Sequence, residues 1–100
     1  MKKSENGISV IIPTFNRQNY LYPTLLCLLN QEIKSNFDFE IIIVDSGTDT
    51  TNEMVALLAG KTVRIRYKRI RNNTNRSLLR HCGAKLAKFE YLLFLDNDML

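Results

Sequence analysis

Two carboxylates, Asp96 and Asp98, stand one residue apart directly after the apolar run YLLFL (residues 91–95). Acids at positions i and i+2 can reach a common ion at the end of a strand, because the turn there breaks the alternation of side chains. Their oxygens suit Mg²⁺ or Mn²⁺, and such a site leaves coordination positions for water and phosphate oxygens. A metal held there would stabilise a diphosphate as a leaving group. The alternative is an ordinary polar turn, because Asp and Asn are favoured in turns.

A third acid, Asp45, directly follows the apolar run FEIIIV. There its carboxylate could accept hydrogen bonds from a ribose or from the edge of a base, or it could form a turn or cap beside Thr50. The chain contains neither GxGxxG nor GxxxxGK[ST], so it lacks the phosphate loops of dinucleotide-binding and P-loop proteins. If a nucleotide binds, a metal and arginines must therefore hold its phosphates.

These acids need strands to position them, and four apolar runs predict strands over residues 8–12, 39–44, 63–67 and 91–95. Three helical patterns fill the gaps. The first is a stripe of leucines at positions 21, 25, 28 and 29, with Pro23 near the helix start because an interior proline is costly. The second begins with a capping box at Thr50 and stops at Gly60. The third carries Leu78, Cys82 and Leu86, with Gly83 allowing close approach to the sheet.

This alternation predicts an α/β fold, a Rossmann-like three-layer sandwich with a mostly parallel sheet and the element order β-α-β-α-β-α-β. A chain of 100 residues is expected to form a single domain. Ligands of such sheets bind beyond the carboxyl ends of the strands. The segments that follow the four strands begin at Pro13, Asp45, Arg69 and Asp96, so carboxylates and arginines should converge on one rim.

The net charge is +4, and residues 61–71 hold six of the fourteen Lys and Arg residues. Their alternation with apolar residues is typical of an edge strand protected against further pairing, which we favour over a surface for phosphates or anionic lipid. Nucleic acid is not expected as a partner, because no aromatic residues interleave with the basic face.

No apolar run is long enough for a membrane span or a signal peptide, which predicts a cytoplasmic protein. Both cysteines are interpreted as small buried hydrophobes rather than a disulfide or metal site.

The segments ISVIIPTFNR, EIIIVDSGTDTT and NTNRSLLRHCGAKLAKFEYLLFLDNDM occur in an order and spacing that resemble family 2 glycosyltransferases of the GT-A fold. The resemblance runs from Ile8 to Asp98. The fold it implies is a truncated GT-A nucleotide-binding half. Four positions depart from the family pattern. Asn75 replaces a glycine, and His81 replaces an asparagine as a hydrogen-bonding substitute. Ser46 replaces the second acid after Asp45, in a turn one residue shorter than usual, and Phe89 replaces a glycine before the last strand, where it adds packing.

The resemblance implies transfer of a sugar from a nucleotide diphosphate donor, usually a UDP-sugar, with inversion at the anomeric carbon and a divalent cation, Mn²⁺ or Mg²⁺. It assigns residues to the nucleotide and to the metal. The nucleotide-binding residues would be Pro13, Thr14, Asn16, Asp45, Arg80, Asp96 and Asp98, and the metal ligands Asp96 and Asp98.

The family places its general base downstream of the DxD pair, so no catalytic residue is assigned and the base is expected beyond Leu100. Residues 1–100 would be the N-terminal nucleotide-sugar-binding part of a longer enzyme and inactive alone. The acceptor would be a saccharide or a glycolipid. The full-length protein could associate with the membrane surface, and an exposed sheet edge could favour self-association.

Two other classes stay open. Nucleotidyltransferases that make nucleotide sugars share this type of sheet and an acidic metal site, but they usually have a Gly-rich loop where this chain reads PTFNRQ. A non-enzymatic α/β binding module, such as a receiver-like domain, could use Asp45 as its central acid. Receiver-like domains also need paired acids after the first strand, where this chain has Pro13 and Thr14.

Overall fold

The computed structural model of the protein describes residues 3–30, 37–62, 64–70 and 75–96. The strands are β1 (Ser4–Thr14), β2 (Asp38–Asp45), β3 (Ile65–Arg69) and β4 (Phe89–Phe94). The helices are α1 (Gln18–Leu29), α2 (Thr51–Ala59) and α3 (Arg76–Leu86). The predicted element order is confirmed, although β1 is much longer than the predicted run.

All strand pairs are parallel, and the described strands form one sheet in the order β3-β2-β1-β4. One face carries α1 and α2, whose core residues include Leu25 and Val55. The other face carries α3, where Leu79 packs with Ile11 and Val44. The predicted three-layer α/β sandwich is therefore confirmed, with a separate apolar core on each side of the sheet.

Pro13 lies within β1, an inner strand, where a proline normally removes a hydrogen bond of the ladder. The register pairs Ile11 with Phe94, the last residue of β4, so Pro13 comes after the β1–β4 pairing has ended. On the other side, β1 continues to pair with β2 as far as Thr14. The proline is tolerated because, among the described residues, it lies beyond the part of β1 that pairs with β4.

The three predicted helices are present, but the roles predicted for Thr50, Leu78 and Pro23 within them differ from the structure. Thr50 precedes α2 but makes no side-chain cap, because its hydroxyl donates to Gln18 Oε1 over 2.6 Å. In α3 the buried residues are Leu79 and Gly83, whereas the predicted Leu78 is exposed. Cys82 and Leu86 of the predicted stripe are partly buried against the same core. Pro23 is the sixth residue of α1 and therefore lies in its second turn.

Gly83 makes the close approach that was predicted for it. A Cβ at this position would clash with Ile11 Cγ2 and lie 3.3 Å from Val44 Cγ2.

The prediction for the cysteines is wrong in part: Cys27 is exposed on α1 and Cys82 is half-buried on α3, and no disulfide joins them.

β3 is an edge strand, as predicted, and its alternation places Ile65 inward and Lys68 outward. β4 lies at the other edge of the described sheet and exposes apolar side chains, with Tyr91 57% exposed. No helix in the described ranges has the length and apolar character needed to cross a bilayer.

Candidate functional site

Three polar residues form a row across the carboxyl ends of neighbouring strands. The parallel registers place Thr14 opposite Asp45, and Asp45 opposite Arg69. Each of these residues ends its strand, so the row marks the rim at which ligands of parallel α/β sheets bind. The sequence prediction that Asp45 and the arginine-bearing segment meet at one rim is confirmed by this register.

Asp45 has no exposed surface, and both of its carboxylate oxygens are hydrogen-bonded. Its Oδ1 accepts a hydrogen bond from the Gly47 amide at 2.8 Å. Its Oδ2 accepts from the Tyr67 hydroxyl at 2.6 Å, and from Arg69 Nη2 at 2.7 Å and Nε at 3.3 Å. A buried carboxylate needs this compensation, because isolating its charge from water is very costly.

The two side chains that donate hydrogen bonds to Asp45 both keep their protons more firmly than usual. Burial, and then the hydrogen bond to Asp45, raises the pKa of the Tyr67 hydroxyl well above its ordinary value. The hydrogen bond to Asp45 is also the main cause that raises the pKa of the Arg69 guanidinium. Tyr67 therefore stays a neutral donor and Arg69 a charged donor throughout the physiological pH range.

Asn16 connects the end of β1 to the β2–α2 loop (residues 46–50). Its Oδ1 accepts hydrogen bonds from the amides of Thr48 at 2.7 Å and Asp49 at 3.0 Å. Its backbone has a φ of 52°, a left-handed conformation that asparagine tolerates better than most residues. A Cβ on Gly47 would lie 2.5 Å from Asn16 Oδ1, so the loop passes too close for a larger residue.

A cleft of about 330 Å³ opens beside this connection, at the start of α1. It is lined by Asn16, Arg17, Gln18, Asn19, Tyr20 and Asp49. The cleft therefore adjoins the β2–α2 loop on the rim that holds the row of strand ends.

At the far side of the rim, Arg80 on α3 forms an ion pair with Asp96, two residues past the end of β4. Arg80 Nη2 lies 2.7 Å from both carboxylate oxygens of Asp96. Upstream, the Asn75 side chain caps the helix by accepting from the Leu78 amide, with an extended backbone at a φ of −75° rather than a left-handed one. The cap fixes where α3 begins and so which residue reaches Asp96.

The oxygens of Asp96 are the donor type that Mg²⁺ and Mn²⁺ prefer, so the residue fits the predicted metal in chemistry. Both oxygens already bind Arg80, so a metal would share them with the guanidinium. Asp98 lies outside the described residues. Within the described ranges, no three His, Cys, Asp or Glu side chains are grouped as a metal site would require.

The predicted nucleotide-binding residues differ in their accessibility. Pro13, Thr14 and Asp45 are buried, whereas Asn16 is exposed. Arg80 and Asp96 are partly exposed and bind each other. The nucleotide contacts of these residues stay predictions.

Tyr67 and Arg69 were not identified from the sequence as partners of Asp45. A signal was present, because residues 65, 67 and 69 share one face of the strand and Ile65 points into the core. The basic run was interpreted as edge protection, which describes Arg64 and Arg66 better. These two pair with Asp38 and Glu40, and Arg64 and Asp38 are both exposed at the opposite end of the strands.

Glu40 is a second buried carboxylate that the sequence analysis missed, within the run FEIIIV. Its Oε2 accepts from the Ser9 hydroxyl and the Lys88 amide, each at 2.7 Å, and its Oε1 accepts from Arg66 Nη1 at 3.1 Å. Arg66 Nη1 also contacts the Leu86 carbonyl oxygen. This network lies toward the amino end of the sheet and ties the α3–β4 connection to β1, β2 and β3.

Comparison with known proteins places the chain among glycosyltransferases. A family model described as "Glycosyl transferase family 2" matches residues 9–100. The poly(ribitol-phosphate) beta-N-acetylglucosaminyltransferase TarP of Staphylococcus aureus (strain N315) is 38% identical over 94 residues, which are 93% of this chain and 28% of that protein. Hyaluronan synthase of Pasteurella multocida is 37% identical over 94 residues, which are 93% of this chain and 10% of the synthase.

A solved structure is similar to the chain in its fold as well as in its sequence. The crystal structure of S. aureus TarS 1–349 in complex with UDP-GlcNAc superposes with a TM-score of 0.81 and 30% sequence identity. The match covers 92% of this chain and 26% of that chain. The chain thus spans 28% or less of each of these three proteins.

Proposed function

The chain belongs to glycosyl transferase family 2, and from that premise we propose that it is the donor-binding region of an enzyme that uses a UDP-sugar. The observation that carries the proposal is the rim where polar groups gather at the carboxyl ends of parallel strands, in a chain that the family model matches almost throughout. The complex of TarS with UDP-GlcNAc supports a UDP-sugar as the donor.

The strand order suggests how a nucleotide would lie on the rim. Asp45 and Arg69 end β2 and β3, whereas Asp96 follows β4, with β1 between them. Neighbouring strands are about 4.8 Å apart, so Asp45 on β2 and Asp96 beyond β4 are separated across the sheet by roughly 10 Å. We assign the base to the β2–β3 side and the diphosphate to the β4 side. Pro13 and Thr14 would form the floor between them, beneath the base and ribose, with Asn16 at its margin.

A divalent cation, Mn²⁺ or Mg²⁺, is part of the proposal. Asp96 and Asp98 would hold it, with Asp98 as the more direct ligand and Asp96 oriented by Arg80. When bound, the ion would neutralise the diphosphate and stabilise it as a leaving group. Arg80 would add a second positive charge close to the same phosphates.

The proposed reaction is a single displacement with inversion. The acceptor hydroxyl oxygen forms a bond to the anomeric carbon while the bond from that carbon to the diphosphate oxygen breaks, and a general base takes the hydroxyl proton. No described residue is assigned as that base, which we place in sequence beyond Leu100. Residues 1–100 would then be the N-terminal donor-binding part of a longer enzyme, able to bind donor without transferring sugar.

The acceptor in this proposal is a saccharide or glycolipid, which the hyaluronan synthase and chondroitin synthase among the relatives support. We place the protein in the cytoplasm, with association of the full-length protein at the membrane surface. Nucleic acid is not part of the proposal; in the basic run, Arg64 and Arg66 are paired with Asp38 and Glu40.

The experiment that tests the proposal is a calorimetric titration of the 100-residue chain with UDP, with and without Mn²⁺. We expect binding that requires the metal and is lost in Asp98→Ala. The matched control is Asp38→Ala, which removes an exposed acid at the opposite end of the sheet and should leave UDP binding unchanged. Equal binding without Mn²⁺, or equal loss in both variants, would contradict a metal-dependent donor site at the DxD pair.

A further inference from the structure

The two edges of the described sheet differ in how they are protected. β3 carries Arg66 and Lys68 along one edge, and charged side chains on an edge strand discourage further pairing. β4, at the other edge, has one charged residue in six, Glu90, and contains no proline. Its register with β1 is regular from Tyr91 to Phe94, without a bulge. β4 therefore lacks the features that keep an edge strand from pairing.

β4 also exposes apolar side chains on both faces of the sheet. Its register pairs Leu93 with Val10 and Phe94 with Ile11, and these two β1 residues belong to different cores. Alternate residues of β4 therefore extend both apolar faces. Because α3 packs mainly on β1 and β2, residues 91–94 stay 37–57% exposed. A partner that extended the sheet would cover both faces of this strand at once.

The hydrogen bonds from β4 to β1 show which backbone groups of β4 face the open edge. The Leu95 amide donates to the carbonyl oxygen of Ile11. Successive residues of a strand point their N–H and C=O groups to alternate sides, so the odd-numbered residues of β4 face β1. The backbone groups of Glu90, Leu92 and Phe94 therefore point away from β1.

We propose that β4 pairs antiparallel with β4 of a second copy of this chain, so that two four-stranded sheets join into one symmetric dimer. A two-fold axis along the strands would set identical backbone groups against each other, whereas an axis perpendicular to the sheet gives antiparallel pairing. In that pairing a residue that faces the edge must lie opposite another that does so. The two copies of one residue therefore lie opposite each other at the axis.

The backbone selects Leu92 as the residue at the axis. Glu90 of each copy then lies opposite Phe94 of the other, so all three residues that face the edge find partners within β4. With any other residue at the axis, at least one of the three would lie opposite a residue outside the strand. The same register sets Tyr91 opposite Leu93 on the other face, where each covers apolar surface of the other.

The charges at the ends of the strand favour the same register. Lys88 and Asp96 flank the paired segment, so the lysine of each copy comes near the aspartate of the other. Lys88 is exposed, and Asp96 keeps exposed surface although it binds Arg80. With Leu93 at the axis, Glu90 would instead lie opposite Asp96, and like charges opposed across a strand pair are destabilising.

Sedimentation equilibrium of the 100-residue chain tests the dimer, for which we expect a monomer–dimer equilibrium in the wild type. Leu92→Lys sets two positive charges opposite each other at the axis, so the dissociation constant of the dimer should rise by roughly tenfold or more. The matched control is Leu57→Lys, the same change at an exposed leucine of α2, which should leave the constant unchanged. Equal effects of the two variants would overturn the proposal. A monomeric wild type would also overturn it, and the edge would then belong to another segment or partner.

Disulfide trapping tests the register, in a chain that carries Cys27→Ser and Cys82→Ala. Leu92→Cys places two Cα atoms about 5.5 Å apart at the axis, within reach of a disulfide. Leu93→Cys places them about 7–8 Å apart on a diagonal, beyond that reach. We expect oxidation to link the dimer through Leu92→Cys and not through Leu93→Cys. The reverse result, or equal trapping by both variants, would overturn the proposed pairing.

Discussion

Arg80 places a single nitrogen 2.7 Å from both oxygens of Asp96, and so joins α3 to the segment that follows β4. The helix thereby controls the orientation of the first acid of the DxD pair. Neither residue is fully buried, and each keeps part of its side chain exposed to solvent. The pair is therefore suited to orienting a ligand group while contributing little to the stability of the fold.

Replacing Arg80 with methionine should separate these two roles. We expect UDP affinity in Mn²⁺ to fall roughly tenfold or more, since a charge-assisted hydrogen bond is worth about 1.5–3 kcal/mol. The free energy of unfolding should fall by less than about 1 kcal/mol, because the pair is partly solvated. Calorimetric titration and urea denaturation measure the two quantities. Arg64→Met, which breaks a more exposed pair, should alter stability no more than Arg80→Met does and should leave UDP affinity unchanged. Equal affinities in the two variants would refute the role of Arg80.

The Glu40 network predicts a substitution whose effect is on stability. In Glu40→Gln the amide NH₂ must face hydrogen-bond donors, either Arg66 or the Ser9 and Lys88 groups. We expect the free energy of unfolding to fall by about 1–3 kcal/mol, the cost of an unsatisfied buried polar group. Urea denaturation of this variant beside Glu90→Gln, an exposed glutamate on β4, provides the comparison. Equal midpoints for the two variants would show that the buried network contributes nothing.

Two glycines give opposite predictions for the same change. Gly83→Ala places a methyl group against Ile11, and we expect a loss of about 1–3 kcal/mol from overpacking of α3 on the sheet. Gly60→Ala places the methyl group 3.6 Å from two carbonyl oxygens, at a φ of −66° that alanine adopts readily. It should be neutral or stabilising by up to about 1 kcal/mol. Thermal unfolding of both variants tests the contrast, and a stable Gly83→Ala would mean that α3 can move away from β1 at little cost.

The raised pKa of Tyr67 predicts a loss of stability at alkaline pH. Below the ordinary phenol pKa of 10.0 the proton is bound in both folded and unfolded chains, so the stabilising contribution is complete. Above that pH the unfolded chain releases the proton first, and the free energy of unfolding declines as the pH rises. Urea midpoints of the wild type should therefore fall more steeply above pH 10 than those of Tyr67→Phe.

Phenolate absorbance provides an independent check. The difference between the titrations of the wild type and Tyr67→Phe isolates one of the four tyrosines. We expect the difference to appear only above pH 10. A step at or below pH 10 would mean that burial and Asp45 do not hold the proton on Tyr67.

The sequence predicted the architecture well because its signals are periodic and local. Strand runs, helix stripes and their alternation depend on spacing alone, and they led to the order observed for the seven elements of the described residues. The rim was predictable for the same reason, since the carboxyl ends of parallel strands must lie together. Gly83 was identified correctly because its position on a helix stripe suggested close packing.

What the sequence did not reveal was which polar groups bind each other. Asp45 meets Tyr67 and Arg69 only because β2 and β3 are neighbours in a particular register, and no local pattern specifies that register. The Thr50 hydroxyl was assigned to a helix cap, but Gln18 at the start of α1 competes for it. Glu40 lay within an apolar run that was predicted as a strand of the sheet, so the need for a buried partner could have been stated, although not that Ser9 and Arg66 would supply it.

The central position of β1 also has a consequence for the kinetics of folding. β1 precedes the other described strands in the chain, yet one of its two neighbours is β4, and the Phe89 amide donates to Ser9 Oγ across 80 residues of chain. Contacts so distant in sequence slow folding, because loop closure costs entropy before the contacts form. During synthesis β1 can pair with β2 early, but its other edge must wait until β4 has left the ribosome. We expect the docking of α3 and β4 to be the late, rate-limiting event, and until then β1 lacks one of its two neighbouring strands.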